Sequence, residues 1–281
     1  LTKKGQPVYL QAGFNDGEEG DALRRIGTGK MLLTTAVFAL VLIGAVGSAS
    51  ALRLRVGDLV IVADGGFTPK SLPAKHDAPI TLHGGGKLST VSGALPPILK
   101  TITIEYDRHG SVQTVGLPTC TGGKLENTTV VAARRACPGA IVGKGFGHAI
   151  VKFPEQAPIP ISSPITIFNG PKKHGNDTVF AHAYTTVPVP TTFVVPIVIE
   201  RIHKGVYGYR TKVKIPVIAG GAGIPISGSL KIGRKWTYKG KRHSYVNARC
   251  ETGHLQARGE FTFDDGTFLA GTFLKPCTVR R

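Results

Sequence analysis

From Val56 onward the chain is cut into short runs of β-branched and aromatic residues by Gly, Pro, Asn and Asp, and helical periodicity is almost absent. The 37 Gly and 19 Pro of the sequence supply that punctuation. Such a chain buries its apolar residues by pairing short strands, and short connections favour antiparallel pairing. The expected fold is all-β, an antiparallel β-sandwich in one large or two small units, with one short helix pinned by a disulfide. Ile102, Ile104 and Tyr106 show the pattern at its clearest: they alternate with Thr101, Thr103 and Glu105, so one face is buried and the other wet.

Other segments refine the expectation. Residues 59–62, 111–115, 140–153, 165–168, 178–187 and 191–200 read as strands, and Gly84-Gly85-Gly86 reads as a hairpin turn between residues 80–82 and 88–91. Tyr209, Val213, Ile215 and Val217 occupy one face of a strand whose other face carries a row of cations, Arg210, Lys212 and Lys214. The run Phe193 to Ile199 is apolar on both faces, as in a central strand, so Pro196 requires a bulge or a switch between sheets. Residues 154–164, with four prolines, read as a semi-rigid connector or edge and mark an internal boundary. Residues 228–238, 244–250, 255–263 and 267–274 read as a meander, with Asp265-Gly266 as a tight turn. Val130 to Ala136 suit a two-turn helix capped by Asn127 or Thr128 and stopped by Pro138-Gly139.

Residues 31–51, MLLTTAVFALVLIGAVGSASA, set the compartment. A basic flank, an uncharged apolar run and Ala49-Ser50-Ala51 make a secretory leader with cleavage after Ala51, and the run is short for the roughly 20 residues that span a bilayer. Met31 is the only methionine, so residues 1–30 read as an upstream extension outside the natural start. Removing 51 of 281 residues leaves 230, the region 52–281, enough for a proper core. All four cysteines fall there, and an even count in an oxidising compartment implies two disulfides. Cys120–Cys137 and Cys250–Cys277 are the preferred pairs because each brackets one local unit. No CxxC or Cys/His spacing suggests zinc, and no cofactor is expected.

The net charge is +18, and loss of the five basic and four acidic residues before Leu52 leaves +17. On an exported chain this points to anionic envelope polymers or acidic lipid head groups, with no nucleic acid expected.

The segments GLPTC, ARRACPGAIVGKG, HAYTTVPVPTTFVVP, and ARCETG through EFTFDDGTFLAGTFLKPC resemble a family of secreted bacterial β proteins with no assigned activity. The likeness runs from Pro69 to Cys277 and takes in all four cysteines. It implies export and a shared disulfide-bearing β fold, and it brings no catalytic residue to this chain.

Chemistry-bearing patterns are sparse. Gly143 to Gly147 (GKGFG) meets neither GxGxxG nor GxxxxGK[ST] and reads as a Gly-rich strand. No G-x-S-x-G occurs, and Ser227-Gly228-Ser229 reads as a turn. Asp264-Asp265 suits a hairpin tip, while Glu251 and Glu260 stand isolated. His182, inside an apolar run, reads as a core histidine held by hydrogen bonds. The remaining signal is a basic and aromatic patch: Arg234, Lys235, Trp236, Tyr238, Lys239, Lys241, Arg242 and Tyr245 on one hairpin. Flat rings beside cations suit a sugar polymer, a polyanion or a phospholipid head group, while core aromatics with a solvated basic tip account for the same residues.

The leading expectation is a non-catalytic envelope or extracellular protein, structural or binding an anionic partner through a basic face. A carrier of a lipid or other apolar ligand is the second, and it requires an enclosed chamber. A hydrolase of envelope glycan is the third, and it requires two carboxylates across a cleft.

Overall fold

The computed structural model describes residues 51–280; the expected extension and leader lie outside these residues, apart from Ala51. In chain order the strands are β1 (Leu52–Val56), β2 (Leu59–Thr68), β3 (Ser71–Pro73), β4 (Ala78–Pro79), β5 (Thr81–Thr90), β6 (Leu99–Asp107) and β7 (Gly110–Val112). After helix α1 (Val130–Ala136) come β8 (Ile141–Val151), β9 (Ile159–Lys173), β10 (Asn176–Thr185), β11 (Thr191–Lys204), β12 (Tyr207–Lys214) and β13 (Gly223–Ile232). The chain then runs through β14 (Lys235–Tyr238), β15 (Lys241–Ser244), β16 (Val246–Ala248), β17 (His254–Phe263), β18 (Phe268–Pro276) and β19 (Thr278–Arg280).

Twelve of these strands form one antiparallel sheet, ordered β1-β2-β5-β13-β8-β9-β10-β11-β12-β6-β17-β18. Its ends turn toward each other. A Cβ placed on Gly271 of β18 would stand 2.6 Å from Leu52 Cδ2 of β1. One buried cluster joins Leu54, Ile61 and Leu88 from the first end to Phe261, Phe263 and Leu269 from the last. At about 1.5–3 kcal/mol for each fully buried large side chain, this cluster is what draws the two ends together. The all-β antiparallel fold is therefore present, and its facing layers are two ends of a single, nearly closed sheet. Within residues 154–164, residues 154–158 connect β8 to β9 and residues 159–164 are the first part of β9, paired with β8 in that sheet.

Three further clusters complete the interior. Tyr245 and Leu117 pack with Val142, Ile167, Val179 and Ile197 beneath the middle of the sheet. Phe67, Leu72 and Ile80 pack with the Cys250–Cys277 bridge. On the far side of β9 and β10, α1 sets Ala133 against Phe168 and the Cys120–Cys137 bridge. Both expected disulfide pairs are present. A seven-residue helix is too short to hold alone, so the bridge and this contact maintain it. Its cap is Thr129, whose hydroxyl accepts from Ala132 N at 3.2 Å. Thr128, one of the two expected caps, is engaged with Leu125 O and the ring of His182 instead.

Several local expectations are corrected. Gly84-Gly85-Gly86 is no turn but the middle of β5; a Cβ on Gly85 would meet Gly228 O at 2.6 Å, so glycine lets β5 and β13 close up. Pro196 sits in unbroken register opposite Phe180, without a bulge. β12 pairs with β11 only at Ile199 and beyond, so on that side Pro196 faces no ladder. Pro160 and Pro164 lie within β9, ahead of Ile165 where pairing with β10 starts, and this is the edge behaviour proline tolerates. The C-terminal meander is interrupted. Both sides of β13 are taken by β5 and β8, so the chain leaves the sheet after Ile232. It forms the separate hairpin β14–β15, adds β16 between β4 and β7, and returns as the hairpin β17–β18.

Candidate functional site

The hairpin β14–β15 turns at Lys239 and Gly240, both with positive φ (48° and 74°), the condition for a turn that follows the twist of two paired strands. Its register places Trp236 opposite His243 and Tyr238 opposite Lys241 on one face, with Lys235, Thr237 and Arg242 on the other. The Trp236 and His243 rings stack at 5.6 Å and 19°. Trp236 Nε1 donates to Val115 O at 3.1 Å, His243 Nδ1 lies 2.9 Å from Gln113 Oε1, and Tyr238 packs on Gly116. The aromatic face is thus seated on residues 113–116. Between the hairpin and Pro79 lies an open hollow of about 250 Å³ lined by Lys235, Trp236, Thr237, Arg242 and His243.

Of the eight residues read as a binding patch, the structure leaves seven at least partly exposed. Lys235, Tyr238, Lys239, Lys241 and Arg242 are exposed, Trp236 is half-buried, and Lys239 Nζ sits 5.6 Å from the Tyr238 ring centre. Arg234 and Tyr245 are placed differently from the rest. Arg234 is spent on the backbone, with Nη1 donating to Ile141 O at 2.9 Å and Pro138 O at 3.3 Å. Tyr245 is 1% exposed and belongs to the core. Burial pushes its phenol well above the ordinary value, with a lesser push from Asp177.

Charge is distributed unevenly over the sheet. On β12, Arg210 pairs with Glu200 at 2.9 Å, whereas Lys212 and Lys214 are exposed. Nearby Glu105, 3% exposed, is met by Lys204 at 3.2 Å and Arg258 at 3.8 Å. Lys204, Arg210 and Arg258 on this side each meet a carboxylate. By contrast, β5, β8, β9 and β13 contain no Asp or Glu at all.

One constellation escaped the reading of the sequence. His109 Nδ1 lies 2.8 Å from Asp107 Oδ1, and its Nε2 lies 3.3 Å from Glu251 Oε2. Arg249 then bonds Glu251 Oε1 at 2.7 Å and Asp77 Oδ1 at 3.2 Å, and Ser111 Oγ donates to Asp77. The hydrogen bond from Arg249 holds the Glu251 carboxyl below its ordinary value. With both ring nitrogens facing carboxylates and Ser111 bound to Asp77, His109 and Ser111 do not form the base–nucleophile pair of a serine hydrolase. Asp107 also accepts the backbone N–H groups of His109 and Gln256, each at 2.9 Å, so the assembly ties β6 and β7 to the strand that follows Cys250. Its only trace in the sequence is i, i+2 spacing: Asp107, His109, Ser111, then Arg249 and Glu251.

His182 is fully buried, with Nε2 3.0 Å from Thr128 Oγ1 and 3.1 Å from Thr128 O. Burial lowers its proton affinity, as suits a neutral ring that fastens the helix-bearing loop to β10. A second open hollow, about 170 Å³, lies beside Pro160, Ser162 and Tyr184. Neither hollow is the enclosed chamber that a carried apolar ligand needs.

Fold and site together define a disulfide-bonded, antiparallel all-β protein with an uneven surface charge. Comparison with protein-family models, with curated proteins and with solved structures finds no match, so the site is read from its own residues.

Proposed function

We propose that the chain is an exported, non-catalytic protein of the cell envelope or medium that binds an anionic envelope polymer through its basic face. The observation that carries this reading is the hairpin hollow, whose lining includes Lys235 and Arg242 together with Trp236 and His243. Two exposed cations next to an aromatic edge suit an anionic group attached to a sugar or alcohol. Two disulfides agree with an oxidising compartment, and no helix of the described residues is long and apolar enough to cross a membrane.

The test is co-sedimentation with purified anionic wall polymer and, in parallel, with acidic phospholipid vesicles. Binding to the polymer at low ionic strength, weakened by salt and by the double substitution Lys235→Gln/Arg242→Gln, is the expected result. Binding indifferent to salt and to both substitutions sinks the reading, and binding to vesicles alone moves the partner to lipid.

A further inference from the structure

We infer that β5, β13 and β8, which hold no Asp or Glu, carry a second binding surface, a track of cations that continues to Lys70 beside β2 and takes a linear polyanion. It is carried by strand register and is independent of the hairpin. Lys231 of β13 lies directly opposite His83 of β5 on one side and directly opposite Lys144 of β8 on the other. Residues paired across an antiparallel sheet share a face, so these three side chains stand in one row. All three are exposed. Neighbouring strands lie about 4.8 Å apart, which spaces the row over roughly 10 Å.

The row continues at β2. His83 pairs with Gly66, and the position of a Gly66 Cβ would be 3.0 Å from His83 Nε2 and 3.4 Å from Lys70 Nζ. The missing side chain therefore lets Lys70 and His83 converge over the β2 backbone. The next row along the same face is Asp64, Gly85, Ser229 and Phe146; Asp64 is paired with Lys275 at 2.7 Å, and Gly85 and Ser229 are small, so the approach to Lys144 and Lys231 stays open.

Like charges placed directly opposite each other destabilise a sheet, and no acid on β5, β8, β9 or β13 neutralises this pair. A chain of regularly spaced negative charges running across the strands relieves that repulsion. A single small anion does so at only one point. Lys, unlike Arg, acts as a point charge without a fixed bidentate geometry, so the track selects charge spacing over head-group shape. β13 runs through Gly233 and Arg234 into the hairpin, and Lys231 and Lys235 are at most about 14 Å apart along the chain. A long polyanion can occupy track and hollow together, which raises its avidity over that of a monomer.

The experiment measures binding of long-chain inorganic polyphosphate, poly-L-glutamate, orthophosphate and acidic phospholipid vesicles to the disulfide-bonded protein over a salt series. Four proteins are compared: wild type, Lys144→Gln/Lys231→Gln, Lys235→Gln/Arg242→Gln, and the charge-matched control Lys212→Gln/Lys214→Gln. The track predicts polymer binding with little binding of orthophosphate. It also predicts that the Lys144/Lys231 pair lowers the slope of log Kd against log salt by about two, one per cation removed, while the control leaves the slope unchanged. Equal losses in control and track variants reduce the effect to net charge and overturn the proposal. So does binding to vesicles that matches binding to polymer. Loss confined to the Lys235/Arg242 variant overturns the track and leaves the hairpin reading standing; loss confined to Lys144/Lys231 does the reverse. An independent readout needs no ligand: Lys144→Gln raises the Tm at low salt because it removes an opposed like charge. A fall in Tm removes the repulsion from the argument.

Discussion

Tyr245 stands in a basic and aromatic run yet lies in the core, which makes it the most informative single substitution. Its ring is 1% exposed among Leu117, Val142, Ile167, Val179 and Ile197, while its hydroxyl meets no hydrogen-bond partner among the described residues. A buried, unsatisfied hydroxyl costs about 1–3 kcal/mol of desolvation. Tyr245→Phe deletes that cost and keeps the ring, so it stabilises by about 1 kcal/mol. For a chain of this size, that is about 2–4 °C in Tm. Tyr245→Ala removes the ring as well and destabilises by about 3–5 kcal/mol. Urea unfolding at neutral pH, without reductant, measures both. The alkaline limb adds a second check. Because burial raises the folded phenol above its ordinary 10.0, its contribution is complete below pH 10 and is lost as pH rises above that value. Phe does not titrate, so the advantage of Tyr245→Phe widens above pH 10. If Tyr245→Phe instead costs 1 kcal/mol or more, taking about 1 kcal/mol as the net worth of one hydrogen bond, the hydroxyl has a partner and the reasoning fails.

Three further outcomes are expected. Gly85→Ala drives a methyl into Gly228 O and destabilises by about 1–3 kcal/mol in thermal unfolding. Replacing Cys120 and Cys137 together with Ser costs about 3 kcal/mol, judged from a loop closed over 17 residues, and hydrogen exchange finds α1 deprotected before the sheet. Glu251, held below its ordinary 4.5 first by the hydrogen bond from Arg249, contributes stability that is present above pH 4.5 and lost as pH falls through the lowered value. Wild type and Glu251→Gln therefore differ in stability at pH 6 and converge toward pH 3; a gap that persists at pH 3 assigns the effect to packing.

The class of the fold was legible because it rests on local pattern. Alternation over Ile102 to Tyr106, the Thr-led Ala-rich run of α1 and the cysteine spacing each encode their own outcome within a few residues. The errors fell where a residue's meaning depends on a distant strand. Gly84 to Gly86 look like a turn until β13 is brought alongside them, and Pro196 demands a bulge only if both sides of β11 are paired. Arg234 and Tyr245 belong to the same run of letters as Lys235 and Arg242, and only the hairpin register and the loop at 113–116 separate anchors from surface.

The cation track shows the same dependence in its strongest form. Lys70, His83, Lys144 and Lys231 are scattered over more than half the described chain and form no charge run. They become one feature only through three strand registers taken together. A slip of one residue in β13 would carry Lys231 to the opposite face and put Ile232 or Leu230, which pack toward the core, in its place. The register is therefore held by those apolar neighbours, and the position of the charge is a consequence of what they bury. This link is why substitution of the lysines can test binding while leaving the fold intact: the residues that set the geometry of the track are not the residues that would touch a ligand.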